Sequence, residues 1–170
     1  MTSHQTSVPT LVKVMVAATF CVAVSCQAGH PVAAQVDVVT KLYKDFAFES
    51  VIEEPEAGAG VLSSNPAVQA KYFTPRLSAL IREDANCTVK THEICKLDWL
   101  PIWDSQDPIG ATVKVLATSK TNKVNVEVRY QQEVKTLTYT LQRIGQGWRI
   151  DDISYGTDRL TLRETLDPRK

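Results

Sequence analysis

The sequence is poor in histidine, and this scarcity excludes several classes of enzyme. It contains three histidines, His4, His30 and His92, and it has no G-x-S-x-G, no H-E-x-x-H and no glycine-rich phosphate-binding loop. A Ser-His-Asp site needs a histidine beside its nucleophile, and a histidine metal site needs several of them at ligand spacing. We therefore expect no histidine-dependent catalysis, no bound metal and no cofactor, and these motifs assign no catalytic residue.

The chain also lacks net charge and long apolar runs. Lys plus Arg and Asp plus Glu both total 19, so no long-range attraction draws the chain onto nucleic acid or an anionic membrane. The apolar stretch Val14 to Cys26 has 13 residues, whereas a membrane-spanning helix needs roughly 20. We expect no nucleic-acid partner and no transmembrane span after processing.

The N-terminal segment has the layout of a secretory signal. Lys13 precedes the apolar stretch, and the small residues Pro31-Val32-Ala33-Ala34 follow it. This predicts a signal peptide over residues 1–34, cut after Ala34, and a periplasmic or secreted protein. The segment Ala23-Val24-Ser25-Cys26 resembles a bacterial lipoprotein signal instead, in which Cys26 would carry the lipid; a membrane-anchored lipoprotein is therefore the alternative.

Two cysteines remain once the leader is removed. Cys87 and Cys95 are eight positions apart, which in an oxidising compartment favours a disulfide that closes a short loop. A redox or metal pair is the alternative, although the spacing is neither C-x-x-C nor a usual zinc spacing. His92 lies inside this loop among polar residues, so we expect it at the surface.

The first half of the mature chain has helical periodicity. One apolar stripe predicts a helix from about Val36 to Ser50. Asn65-Pro66 and Thr74-Pro75 each place a capping residue before a proline, and they predict helices over about Pro66 to Phe73 and Pro75 to Asp84. The stripe consists of Val39, Leu42, Tyr43 and Phe46.

From Ala111 onward the period changes to two, and short connections join the alternating segments. This predicts an antiparallel meander with a bulge or bend near Asp151-Asp152, where the apolar phase breaks. Adjacent strand residues point to opposite faces, so Asp151 and Asp152 should not act as a catalytic pair. The fold class is α+β: N-terminal helices packed on one face of a curved antiparallel sheet, as a single domain over 36–155. Residues 156–170 form a polar C-terminal tail or a final helical turn.

Two segments carry a resemblance to a known family. They are Leu97 to Asp107, acidic and aromatic and ending in Gln-Asp, and Trp148 to Tyr155, which includes Trp-Arg-Ile-Asp-Asp-Ile. Over about Val36 to Tyr155 the chain resembles a family of bacterial exported proteins known as domain of unknown function 3828. The resemblance implies a cone-like fold similar to nuclear transport factor 2, with three helices against a curved sheet and an open pocket. It implies no activity, since none is established for the family; some members look like lipoproteins and others like immunity or accessory proteins. A long Gly-Ala loop and the Cys87-Cys95 loop depart from the family pattern.

The segment Asp98 to Asp107 is the richest in groups that bind ligands, with two tryptophans and three carboxylates. Such a segment suits a pocket rim, where aromatic faces pack a ligand and acids orient it. Alternatively, Trp99 and Trp103 fill the space between helices and sheet while the acids cap turns or pair with Arg129 and Arg149. The candidate ligand-binding residues are Tyr43, Asp98, Trp99, Trp103, Gln106, Asp107, Arg129, Tyr139, Trp148 and Asp151.

Aromatic content without catalytic motifs predicts a non-enzymatic exported module. It would bind a protein partner or a small apolar ligand in the cone pocket. One alternative is an enzyme of the ketosteroid-isomerase type, which would use Asp98, Asp107 or Asp151 beside Tyr43 or Tyr139. Another is an immunity-like inhibitor of a toxin encoded nearby.

Overall fold

A computed structural model of the chain describes residues 31–53, 60–62 and 65–167. The helices are α1 (Pro31–Asp45), a short 3-10 helix (Ala47–Ser50), α2 (Pro66–Tyr72), α3 (Pro75–Thr91) and α4 (Leu162–Leu166). The strands are β1 (Thr112–Ala117), β2 (Lys123–Arg129), β3 (Val134–Ile144) and β4 (Gly147–Ser154). They form one antiparallel sheet in the order β1-β2-β3-β4.

The sheet is buried on one face only. Val124, Val126 and Val128 of β2 are fully buried, as are Leu137 and Tyr139 of β3, while the residues between them reach solvent at least in part. The apolar stripe of α1 covers this face and contacts β1, β2 and β4. Because alternation places every second side chain under the helices, the predicted α+β fold class is confirmed.

The helix boundaries agree with the sequence at their starts and differ at their ends. Asn65 accepts a hydrogen bond from the Ala67 amide at 2.8 Å, and Thr74 accepts one from the Leu77 amide at 3.3 Å, so both predicted caps are present. The first α-helix begins at Pro31, ends at Asp45 and is followed by a 3-10 turn, instead of running from Val36 to Ser50.

The third helix continues past its predicted end at Asp84 to Thr91. The buried Asp84 carboxylate accepts hydrogen bonds from the Lys96 amide at 2.8 Å and the Leu97 amide at 3.3 Å, which fixes the returning chain against the helix. His92 is exposed and ends the helix in the left-handed conformation, at φ 58°. A disulfide joins Cys87 to Cys95 across this turn, with 6.2 Å between their Cα atoms.

The predicted bulge in β4 is present. Thr140 pairs with Asp152 and Leu141 pairs with Ile150, so Asp151 is the extra residue. The expected alternation of the two acids fails here, because the Asp151 carboxylate binds the Arg163 guanidinium and Asp152 Oδ1 accepts the Arg163 amide at 2.9 Å. Both acids thus anchor α4 to the bent strand.

The segment after β4 forms a final helical turn. Thr161 and Glu164 make a reciprocal capping box, and Leu162 and Leu166 are buried in the core. The packed unit therefore extends beyond the predicted boundary at residue 155.

Residues 1–30 of the predicted leader, including Cys26, lie outside the described residues. Residues 54–59 of the Gly-Ala loop also lie outside them. A cut after Ala34 would fall within the first turn of α1, and export stays a prediction. Among the helices that the structure describes, none is long and apolar enough to cross a membrane.

Candidate binding site

A pair of hydrogen-bonded tyrosines fills the space between α1 and the sheet. The Tyr43 hydroxyl donates to the Ile102 carbonyl, and the Tyr139 hydroxyl lies 2.8 Å from the Tyr43 oxygen. A phenol has one proton to donate, so the bond between the two hydroxyls must run from Tyr139 to Tyr43. Burial raises the pKa of both tyrosines well above its usual range. Both protons are therefore held within the protein.

A buried carboxylate lies beside this pair. Glu49 is 4% exposed, and its Oε1 accepts the Val61 amide at 2.7 Å while its Oε2 accepts the Trp103 indole N–H at 2.6 Å. Burial raises the pKa of the Glu49 carboxyl, and the two hydrogen bonds oppose part of that rise. Sequence reasoning missed Glu49, although it falls three positions after Phe46 on the apolar stripe, which was the available signal.

The raised pKa of Glu49 gives a stability difference that depends on pH. A carboxyl whose pKa is higher in the folded state than its ordinary value of 4.5 favours folding when protonated. We expect the wild type to gain stability relative to Glu49→Gln as the pH falls through the folded pKa towards 4.5, and to lose that gain as the pH rises. Urea unfolding of both proteins across this range measures it. A difference that shrinks on acidification would contradict the assignment.

The segment between α3 and β1 borders a surface recess of about 440 Å³, which we call the loop recess. It is lined by Asp98, Trp99, Asp104, Ser105, Gln106, Asp107, Lys135 and Arg159.

The loop recess has a fixed base. Asp104 is 8% exposed and lies in the left-handed region at φ 52°, which aspartate tolerates better than most residues. Its carboxylate binds Arg159 at 2.7 Å, and its carbonyl accepts Lys135 Nζ at 2.7 Å. The Tyr130 hydroxyl donates to the Trp103 carbonyl at 2.7 Å. Three contacts from separate strands and loops therefore hold residues 103 and 104 in place.

The rim of the loop recess is exposed and acidic. Gln106 Nε2 donates to the Asp98 carboxylate at 3.2 Å, and Asp107 Oδ1 accepts the Ile109 amide at 3.1 Å. The charges of Asp104 and Arg159 cancel in their ion pair, so the remaining charged groups are the two carboxylates of Asp98 and Asp107 and the single ammonium of Lys135. The rim therefore carries a small net negative charge at neutral pH.

Trp99, which lines the loop recess, packs against the buried Tyr155, and each has a buried polar atom without a hydrogen bond of ordinary geometry: Trp99 Nε1 and the Tyr155 hydroxyl. Their rings meet edge to face, with centroids 6.2 Å apart. Burial raises the pKa of Tyr155 well above its usual range, and the nearby Trp99 indole offsets part of that rise. The Arg159 guanidinium lies 4.9 Å from the centre of the Tyr155 ring, so it packs over this ring on the side of the recess.

The structure brings together four of the ten candidate residues. Asp98, Trp99, Gln106 and Asp107 line the loop recess. Tyr43, Trp103 and Tyr139 belong instead to the buried interior. The other three lie apart: Arg129 pairs with Glu127 at 3.0 Å, Trp148 is half-buried at the start of β4, and Asp151 binds Arg163. A ligand-binding role for these residues stays a prediction.

Asp104 and Ser105 also line the recess; they lie within the predicted rim segment but were not among the ten candidates, and sequence reasoning missed Lys135 and Arg159. Of the two structural roles predicted for the acids, turn capping is present at Asp107, whose Oδ1 accepts the Ile109 amide. Pairing with Arg129 and Arg149 is not present: Asp104 pairs with Arg159, and Arg149 donates to backbone carbonyls. Within the described ranges, no group of three or more His, Cys, Asp or Glu side chains is arranged to hold a metal ion.

Comparison with known proteins adds little to this geometry. No family model matches the sequence, and no curated protein is significantly similar to it. One solved structure, a phospholipid-binding protein from Ralstonia solanacearum in complex with a phospholipid, aligns with a TM-score of 0.35 and 17% sequence identity, over 81% of this chain and 72% of that chain. A likeness at this level carries no inference about fold or ligand. Membership of the domain of unknown function 3828 family therefore stays a prediction.

Proposed function

We propose that the protein is an exported, non-enzymatic binding module that engages a protein partner through the loop recess. One observation carries the proposal: the exposed carboxylates of Asp98 and Asp107 border a concave surface whose base is held by a hydrogen bond and an ion pair of the buried Asp104. A site that is already rigid loses little conformational entropy when it binds.

The hydrogen bonds of the interior favour a binding module over an isomerase. A ketosteroid-isomerase-type site needs a free tyrosine proton that points at a substrate oxygen, beside an available carboxylate. Here the Tyr43 hydroxyl donates its hydrogen bond to the Ile102 carbonyl, and the Tyr139 hydroxyl donates its hydrogen bond to the Tyr43 oxygen. Glu49 is occupied by two donors. Asp98 and Asp107 are exposed on the loop, so they lie apart from the two tyrosines in the core.

The chemistry of the rim indicates what the partner presents. Asp98 and Asp107 suit a Lys or Arg side chain, and Gln106 can add a neutral hydrogen bond. A recess of about 440 Å³ accepts one or two side chains of a larger partner. A small apolar ligand is less well matched to this polar lining, and the helix-facing side of the sheet is filled by Tyr43, Trp103 and Tyr139.

The test uses the mature protein as bait against a periplasmic extract of the source organism. Asp98→Asn/Asp107→Asn removes two charges while each amide oxygen can still accept the existing hydrogen bond. We expect the affinity for the captured partner to fall at least about tenfold, since each charged contact is worth about 1.5–3 kcal/mol. Titration with the purified partner measures the change.

The matched control is Asp37→Asn/Glu93→Gln, which removes two exposed acids away from the recess. This control should bind like the wild type. Equal affinity for the control and the recess variant would contradict the proposal. Native mass spectrometry of the wild type tests the ligand-binding alternative, which a retained small apolar molecule would favour if no protein is captured. Capture of a toxin would favour an immunity-like inhibitor.

A further inference from the structure

A second concave surface lies on another side of the molecule. It is a groove of about 300 Å³ between α2, the start of α3 and the β3–β4 hairpin. Phe73 and Ile144 supply apolar lining, and Ser78, Arg82 and Arg149 supply polar groups. We call it the arginine groove. It shares no lining residue with the loop recess.

Arg149 is oriented in the groove by two hydrogen bonds to backbone carbonyls and, among the described residues, has no negative partner. Its Nε donates to the Ala70 carbonyl and one terminal nitrogen donates to the Trp148 carbonyl, both at 2.8 Å. A guanidinium has five N–H donors, so others remain to bind a ligand. A Cβ on Gly147 would lie 2.8 Å from the Arg149 terminal nitrogen, so the glycine makes room for this side chain.

Arg82 adds a second positive charge to the same groove. Across the described residues, no carboxylate forms an ion pair with either Arg82 or Arg149. Most of the other arginines among the described residues form ion pairs with acids, such as Arg159 with Asp104 and Arg163 with Asp151. The groove therefore holds two uncompensated cations, one of them preorganised.

A buried hydroxyl lies in the same lining. Ser78 is 7% exposed, and its Oγ is buried without a hydrogen-bond partner. Ser78 and Arg82 are one helical turn apart on α3, so they share a face. An unpaired buried hydroxyl costs free energy that an added acceptor or donor can recover.

We propose that the arginine groove binds the oxyanion of a small amphipathic molecule. The carboxylate or phosphate group would be held by Arg149 and Arg82, since guanidinium groups match the planar geometry of such oxygens. Ser78 would contribute a neutral hydrogen bond, and the apolar part of the ligand would lie against Phe73 and Ile144. The small volume limits the ligand to a short chain or a single ring.

Isothermal titration of the full chain with hexanoate, hexyl phosphate and inorganic phosphate tests this proposal. We expect saturable binding of hexanoate or hexyl phosphate, and about a tenfold weaker affinity in both Arg149→Gln and Arg82→Gln. Gly147→Ala should weaken binding several-fold without any change of charge, because it displaces the Arg149 guanidinium. Arg82 is exposed on α3, so its variant remains informative if Arg149→Gln destabilises the fold.

The control is Arg143→Gln, which removes an exposed charge from the same hairpin outside the groove. It should change the affinity less than about twofold, since only long-range attraction is lost. Equal losses in Arg143→Gln and Arg149→Gln, or no saturable binding of the three probes to folded wild type, would overturn the proposal. Equal affinity for inorganic phosphate and hexyl phosphate would overturn its apolar half and assign the site to a free anion. Asp98→Asn/Asp107→Asn should leave these affinities unchanged, which separates this test from that of the loop recess.

Discussion

Replacement of Trp103 by alanine is expected to lower the free energy of unfolding by about 4 kcal/mol, the range typical of a large buried aromatic side chain. Trp103 is 1% exposed and is among the largest fully buried side chains. Its loss leaves a cavity beside Tyr43, whose ring centroid lies 5.4 Å from that of Trp103. It also removes one of the two donors that bind the buried Glu49 carboxylate. Urea unfolding measures the change.

Two phenylalanine variants separate the packing of Trp103 from its hydrogen bond. Trp103→Phe keeps most of the ring but loses the N–H to Glu49, which we expect to cost about 2 kcal/mol because the acceptor is charged and buried. Trp148→Phe makes the same chemical change at a half-buried position and should cost less than about 1 kcal/mol. Similar losses at the two positions would mean that Glu49 does not depend on the indole.

Tyr43→Phe should destabilise the protein more than Tyr139→Phe. Without the Tyr43 hydroxyl, both the Ile102 carbonyl and the Tyr139 hydroxyl lose a buried hydrogen bond. Without the Tyr139 hydroxyl, Tyr43 still donates to Ile102. At about 1–3 kcal/mol for each buried group left unpaired, we expect losses of about 3 and about 1 kcal/mol.

The same unfolding experiment measures both tyrosine variants. The volumes removed are equal, so cavity formation cannot produce the difference between them. A larger loss in Tyr139→Phe would contradict the assigned direction of the two hydrogen bonds.

The sheet could be predicted from the sequence because its signals are local. Strict alternation marks β2 and β3, and the break of phase after Ile150 marks the bulge at Asp151. The Asn65-Pro66 and Thr74-Pro75 pairs mark two helix starts for the same reason: a cap and a proline act within one turn.

The end of α3 could not be predicted from local pattern. Its apolar period stops at Ile81, and the last turns are polar. They are held by the Asp84 carboxylate, which binds amides beyond the helix, and by the Cys87–Cys95 disulfide. The cysteines were visible in the sequence, but the role of Asp84 depends on where the chain returns.

The composition of the loop recess likewise depends on the tertiary fold. The acidic loop was recognised as a candidate rim from its residues. Arg159 reaches Asp104 only because the chain after β4 folds back and docks through Leu162 and Leu166. Lys135 arrives from the start of β3. Sequence separation conceals such partners, since no periodicity links residue 104 to residues 135 and 159.

The central claim is that the space between α1 and the sheet is closed, because Tyr43, Tyr139, Glu49 and Trp103 fill it and are held there by buried hydrogen bonds. This leaves the surface recess as the place where a partner binds. Hydrogen exchange of the Trp103 indole N–H, followed by NMR in deuterated buffer, tests it most directly. Because this N–H is hydrogen-bonded to the buried Glu49 carboxylate, we expect it to exchange only when the whole protein unfolds. Exchange within minutes at neutral pH, in a protein that remains fully folded, would show that water or a ligand enters the interior and would contradict the claim.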